Sequence, residues 1–166
     1  MAKLTSKPPH RRRWDAFRSE VISVRFVAGS VLGGTIEHLA GSPGALDRDT
    51  RGYLARVGTN AASRLTYVGV RHGVSAALGL RLQSPEARGS LGARLKQAAL
   101  QALTTRTVSG RRVPAVAETA GTYGAILTRG RLYHGEWRPG QAATSTAVAI
   151  GFKVVWATGS ELVGSL

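Results

Sequence analysis

The chain has 166 residues, no cysteine, and a net charge of +14 from 23 basic and nine acidic residues. This excludes disulfide frameworks and thiolate metal sites. It also calls for an anionic counter-surface, because all but four of the cations are arginine, the better bidentate partner for phosphate. The length fits one domain, and its apolar content comes from Ala, Val and Leu, with 21 glycines and few aromatic anchors.

Taken in order, residues 1–13 read as a basic, disordered tail ending in Arg11, Arg12 and Arg13, candidate contacts for phosphate or anionic headgroups, with residues 14–166 as one helical domain. The N-terminus, MAKLTSKPPHRRRW, is not a signal peptide as it stands. Residues 14–40 read as the first helix. Its apolar centre, Val21 to Ile36, contains Arg25 and falls short of the ~20 apolar residues of a spanning helix. Gly29 and Gly33 lie four apart, a spacing that favours close helix contact. AGSPGALDRD is then a turn, with Asp47 or Asp49 capping the next helix.

The stretch Asp49 to Ala77 organises the rest. At roughly 100° per residue it splits into faces. Leu54, Val57, Leu65, Val68 and His72 form an apolar face, and Ala55, Thr59, Ala62, Thr66 and Gly73 a small one. Arg56, Asn60, Arg64, Tyr67 and Arg71 share a third, expected to offer arginines to headgroups or phosphate.

Residues 86–104 form a conventional amphipathic helix with Leu91, Leu95, Ala98, Ala99 and Ala102 inward. Thr105 to Pro114 is a polar turn whose β-branched flanks allow a short hairpin. A helix from Pro114 to about Leu132 carries Ala117 and Gly121, and a last one from Gln141 to Val163 carries Ala147 and Gly151. Both spacings again suggest close packing. The expected fold is all-α, a small bundle of four or five helices rich in Gly and Ala contacts, membrane-associated.

GYLARVG (Gly52 to Gly58), LTTRTVSGRRVPAVAETAGTYGAIL (Leu103 to Leu127) and the tail through Glu161 together resemble a family of bacterial envelope-associated proteins of the acidobacterial type. The resemblance covers roughly residues 26–162. It implies a small-residue-rich helical chain located at the envelope, and it implies no activity.

No catalytic signature is present: no phosphate loop, dinucleotide fingerprint, nucleophile elbow or zinc-helix spacing occurs. His10, His38, His72 and His134 lie far apart. His72, on an apolar face, reads as a packed core residue before it reads as a haem or pigment ligand. Glu118 is an unexpected charge on an apolar helix and needs a partner, for which Arg64 or Arg71 is the candidate. No enzyme activity, cofactor or metal is expected. The expected role is a structural or scaffold subunit of a larger bacterial membrane assembly, with an anionic membrane surface and other proteins as partners. The alternative is a basic helical protein binding phosphate or nucleic acid non-specifically, although stacking aromatics are few.

Overall fold

Ser23 divides what reads as a single first helix into two. In the computed structural model its hydroxyl accepts from the Phe26 amide at 3.0 Å and donates to the Glu20 carbonyl at 2.7 Å. One side chain therefore ends α1 (Pro9–Val21) and caps α2 (Val24–Ala40), with a bend of 41° between them. The structure describes residues 9–44, 46–81 and 90–163, and side chains within these ranges except those of 9–12 and 161–163. Residues 9–13, expected in the tail, thus belong to α1, while 1–8 lie outside the described residues.

Each remaining element follows from its punctuation. Gly41, in the left-handed region at φ 65°, ends α2. The Asp49 carboxylate accepts from the Gly52 amide at 2.7 Å and starts α3 (Thr50–Ala77). α4 spans Leu91–Leu103, and the opening of the expected 86–104 helix lies outside the described residues. Its chain leads directly into β1 (Thr104–Arg106), which pairs antiparallel with β2 (Arg112–Pro114). The Arg81 amide donates to the Arg106 carbonyl at 2.7 Å and the Val108 amide to the Gly79 carbonyl at 2.8 Å. The hairpin therefore clasps the end of α3. α5 (Val116–His134) stops at Gly135, φ 71°, and α6 (Pro139–Val163) comes next.

The protein is mostly helical, with six helices and one two-stranded hairpin among the described residues. Helices pack in the order α2, α3, α5, α6, α4, with α1 against α3. This is an open row with α2 and α4 at its ends, and the outer faces of α2 and α6 stay exposed.

The interior is built from small and polar side chains. Of the seven buried apolar residues described, five are alanines, joined by Val68 and Leu80. Ser30, Arg56, Thr59, Ser75 and Thr146 are buried with them. Large apolar side chains point outward instead. α2 exposes Val24 (84%), Val27, Leu32, Ile36 and Leu39, and α6 exposes Val148, Phe152, Val155 and Trp156 (69%). On α2 the inner side carries Gly29, Ser30, Gly33, Gly34 and Glu37. No single described helix is long and apolar enough to cross a membrane, although the bent pair α1–α2 passes by length and composition.

Candidate functional site: an arginine-walled cleft between α1–α2, α3 and α5

The arginine face of α3 turns inward, and its members have different fates. Arg56 is fully buried, 0% exposed, and no carboxylate among the described residues holds it. Its guanidinium donates to the carbonyls of Ser42 (3.0 Å), Asp47 (2.8 Å), Leu46 (2.7 Å) and Pro43 (3.3 Å). The α2–α3 loop is wound around this one side chain. A headgroup cannot reach it, so Arg56 is corrected from a surface contact to a loop anchor. Arg71 is paired with Glu20 at 2.5 Å and lies over the Tyr67 ring. Arg64 is exposed, so Arg56, Arg64 and Arg71 do not form one open stripe. Arg13 sits half-buried on α1, and the side chains of Arg11 and Arg12 lie outside the described residues.

Three glutamates pin the helices. Glu20 joins α1 to α3, taking Arg71 and His72 (3.0 Å). His72 also meets Phe17 edge-on, so it is a packed, partnered residue. Glu37 joins three helices: it accepts from Asn60 of α3 at 2.9 Å and from the Tyr133 hydroxyl of α5 at 2.6 Å, and pairs with Arg129. Burial pushes the Tyr133 phenol above its ordinary range, opposed by the positive charge of Arg129. Glu118 joins α5 to α6 through Lys153. Its partner is therefore neither Arg64 nor Arg71.

The glycines also sort by what faces them. At Gly34 a Cβ would meet the Val57 backbone at 2.8 Å, and at Gly121 the Tyr67 carbonyl at 2.9 Å. These two sit at true close approaches of helix to helix. A Cβ at Gly33 would meet the Asn60 amide, and one at Gly29 would overlap the Arg64 guanidinium. Ala117 is buried, whereas Ala147 is exposed and Gly151 has no atom within 4 Å of such a Cβ. Gly151 thus meets no neighbour, and Ala147 borders an open cavity between α4, α5 and α6 instead of a close helix contact.

Between the α1–α2 elbow, α3 and α5 opens a cleft of ≈ 760 Å³. Arg25, Arg64 and Arg129 line it with Tyr67, Ser63 and Thr122, over apolar walls from Phe26, Val68 and Ile126. Arg64 reaches the Arg25 carbonyl at 3.5 Å. The Ser63 hydroxyl oxygen is buried without a hydrogen-bond partner.

No family model matches the chain, and no curated protein or solved structure matches it either.

A second cavity of ≈ 650 Å³ lies between α4, β2, α5 and α6, walled by Leu103, Pro114, Val116, Tyr123 and Ile150. It is almost wholly apolar and holds no titratable cluster. Among the described residues no group of three His, Asp or Glu side chains is placed to hold a metal. Sequence reasoning missed Glu20, Arg25, Ser63, Arg129 and Tyr133. Glu20 had a signal: with nine acids against 23 bases, each acid has basic side chains in excess to pair with.

Proposed function

We propose that the chain is a membrane-associated structural subunit of a larger bacterial assembly at the membrane or envelope. The observation that carries this reading is the inversion of polarity: the buried side chains are mostly alanine, serine and threonine, while valine, leucine, phenylalanine and tryptophan on α2 and α6 are exposed. In water such an arrangement forgoes most of the hydrophobic drive, worth roughly 25 cal/mol per Å² of apolar surface buried. Against lipid tails the outward side chains cost nothing, and helix association rests on close packing and interhelical polar contacts. Gly34, Gly121 and the three glutamate pins supply both kinds of contact.

Charge supports the same reading. The loops after α2 and after α5 lie together around a small cavity lined by Pro43, Tyr133, His134 and Arg138. Exposed Arg48, Arg51, Arg131 and Arg138 belong to this end of the row. Each arginine near an anionic surface contributes about 1 kcal/mol. The apolar flanks sit in the acyl boundary region and the basic end meets headgroups.

The test is membrane fractionation with outward-face variants. Wild-type protein stays with anionic vesicles through high salt and alkaline wash and leaves only in detergent. Val31→Glu and Phe152→Glu keep their helix content in detergent but lose the membrane fraction, since both side chains are exposed. Release of the wild type by salt alone would show that the apolar flanks do not touch lipid.

A further inference from the structure

We propose that the arginine-walled cleft binds a phosphomonoester group, carried either by a lipid headgroup or by a free phosphorylated molecule. The first ground is uncompensated charge. Of the cleft's cations, Arg129 is committed to Glu37, and the cleft's acid, Glu20, is committed to Arg71 and His72. Arg25 and Arg64 have no carboxylate partner among the described residues. Two unmatched arginines lining one open volume are the complement of a dianion, and a phosphomonoester carries close to two charges above its second pKa of about 6. The planar fork of arginine suits phosphate oxygens in pairs.

The second ground is a donor left waiting. The Ser63 hydroxyl is buried at the cleft wall and has no acceptor. A serine inside a helix ordinarily bonds back to a carbonyl of its own helix, and an orphaned buried hydroxyl costs free energy until something accepts from it. Tyr67 and Thr122, each carrying a hydroxyl, line the same cleft.

The third ground is space made for the cation. A side chain at residue 29 would occupy the place of the Arg64 guanidinium. Gly29 thus provides a notch that holds Arg64 against α2, beside the Arg25 carbonyl. The volume of ≈ 760 Å³ is in the range of small-ligand sites, and Phe26, Val68 and Ile126 offer apolar wall to whatever carries the phosphate. The lipid form of this inference rests on the membrane reading, whereas affinity for the phosphate group itself does not.

The experiment is calorimetric titration of the full chain at pH 8 with three probes: inorganic phosphate, dihexanoylphosphatidic acid and dihexanoylphosphatidylcholine. Saturable binding of one phosphatidic acid per chain is expected, weakened at least tenfold in Arg25→Gln/Arg64→Gln and about threefold in Ser63→Ala. Arg111→Gln/Arg112→Gln, which removes the same charge from the hairpin, should stay within twofold of wild type. Arg64→Lys, keeping the charge and losing the fork, should fall between. Equal binding of inorganic phosphate marks a soluble ligand, and preference for phosphatidic acid marks a lipid. Phosphatidylcholine binding as tightly as phosphatidic acid would overturn the proposal, as would equal weakening by both double variants, or no saturation by either phosphate probe. Saturable phosphate binding by a protein that fails to co-sediment with vesicles would sink the membrane reading alone.

Discussion

Replacing Arg56 strips donors from four backbone carbonyls at once. Arg56→Met should therefore destabilise the fold by roughly 3 kcal/mol or more, since each buried group left unpaired costs about 1–3 kcal/mol. Arg56→Lys should recover part of this loss, because one ammonium cannot span the loop as a fork does. Chemical denaturation in detergent measures both, and a lysine variant as stable as wild type would show that the fork is dispensable. The glycines give a second test at this scale. Gly34→Ala and Gly121→Ala must push backbone away from backbone and should each cost about 1–3 kcal/mol. Gly151→Ala meets nothing and should gain up to ~1 kcal/mol from helix propensity. Equal melting temperatures for all three would show that the close approaches do not set stability. Spacing alone could not have separated these glycines. Gly33 and Gly34 are neighbours in sequence, yet one faces the Asn60 side chain and the other the Val57 backbone. Likewise, the arginines of α3 recur at one helical spacing, and only the path of the α2–α3 loop makes one of them an anchor.

Between elements, the contact among Glu37, Tyr133 and Arg129 ties α2, α3 and α5 into one unit. Burial raises the Tyr133 phenol above its ordinary 10.0, so the folded state favours the neutral hydroxyl that donates to Glu37. The stability from this preference is complete below pH 10 and is lost as pH rises through the raised value. Denaturation midpoints from pH 8 to 12 should thus fall more steeply in wild type than in Tyr133→Phe. The variant should be weaker at neutral pH, having lost the 2.6 Å hydrogen bond. Parallel curves would mean that this phenol does not sense folding. At this scale much was legible. The long α3 with its Asp49 cap, the amphipathic α4 and the hairpin allowance after Thr105 can all be read from periodicity and punctuation. The break at Ser23 was not, because the apolar run continues through Ile22 and Val24 and hides the serine that caps and ends helices on both sides. The cleft was legible only in Arg64: Arg25 and Arg129 join it from α2 and α5, and the partners that commit or release them come from other helices.

At the scale of the whole molecule, sequence carries amounts and structure carries direction. The same alanines and valines would serve a water-soluble bundle if the valines turned in. The open row α2–α3–α5–α6–α4 instead spreads them along two flanks. The fully buried apolar side chains described are five alanines, one valine and one leucine, so much of the larger apolar surface is left on the flanks. On the proposed membrane reading, stability is shared with whatever covers the flanks, and it becomes a matter of mass action. Amphiphile that binds the folded chain and not the unfolded one adds RT ln(1 + [L]/Kd), about 1.4 kcal/mol for each tenfold rise above Kd. On that reading a melting temperature has no value until a concentration is stated beside it. A series of melts at rising amphiphile concentration should climb with the logarithm of that concentration and fall back on dilution. A flat series would mean that the small interior is enough by itself.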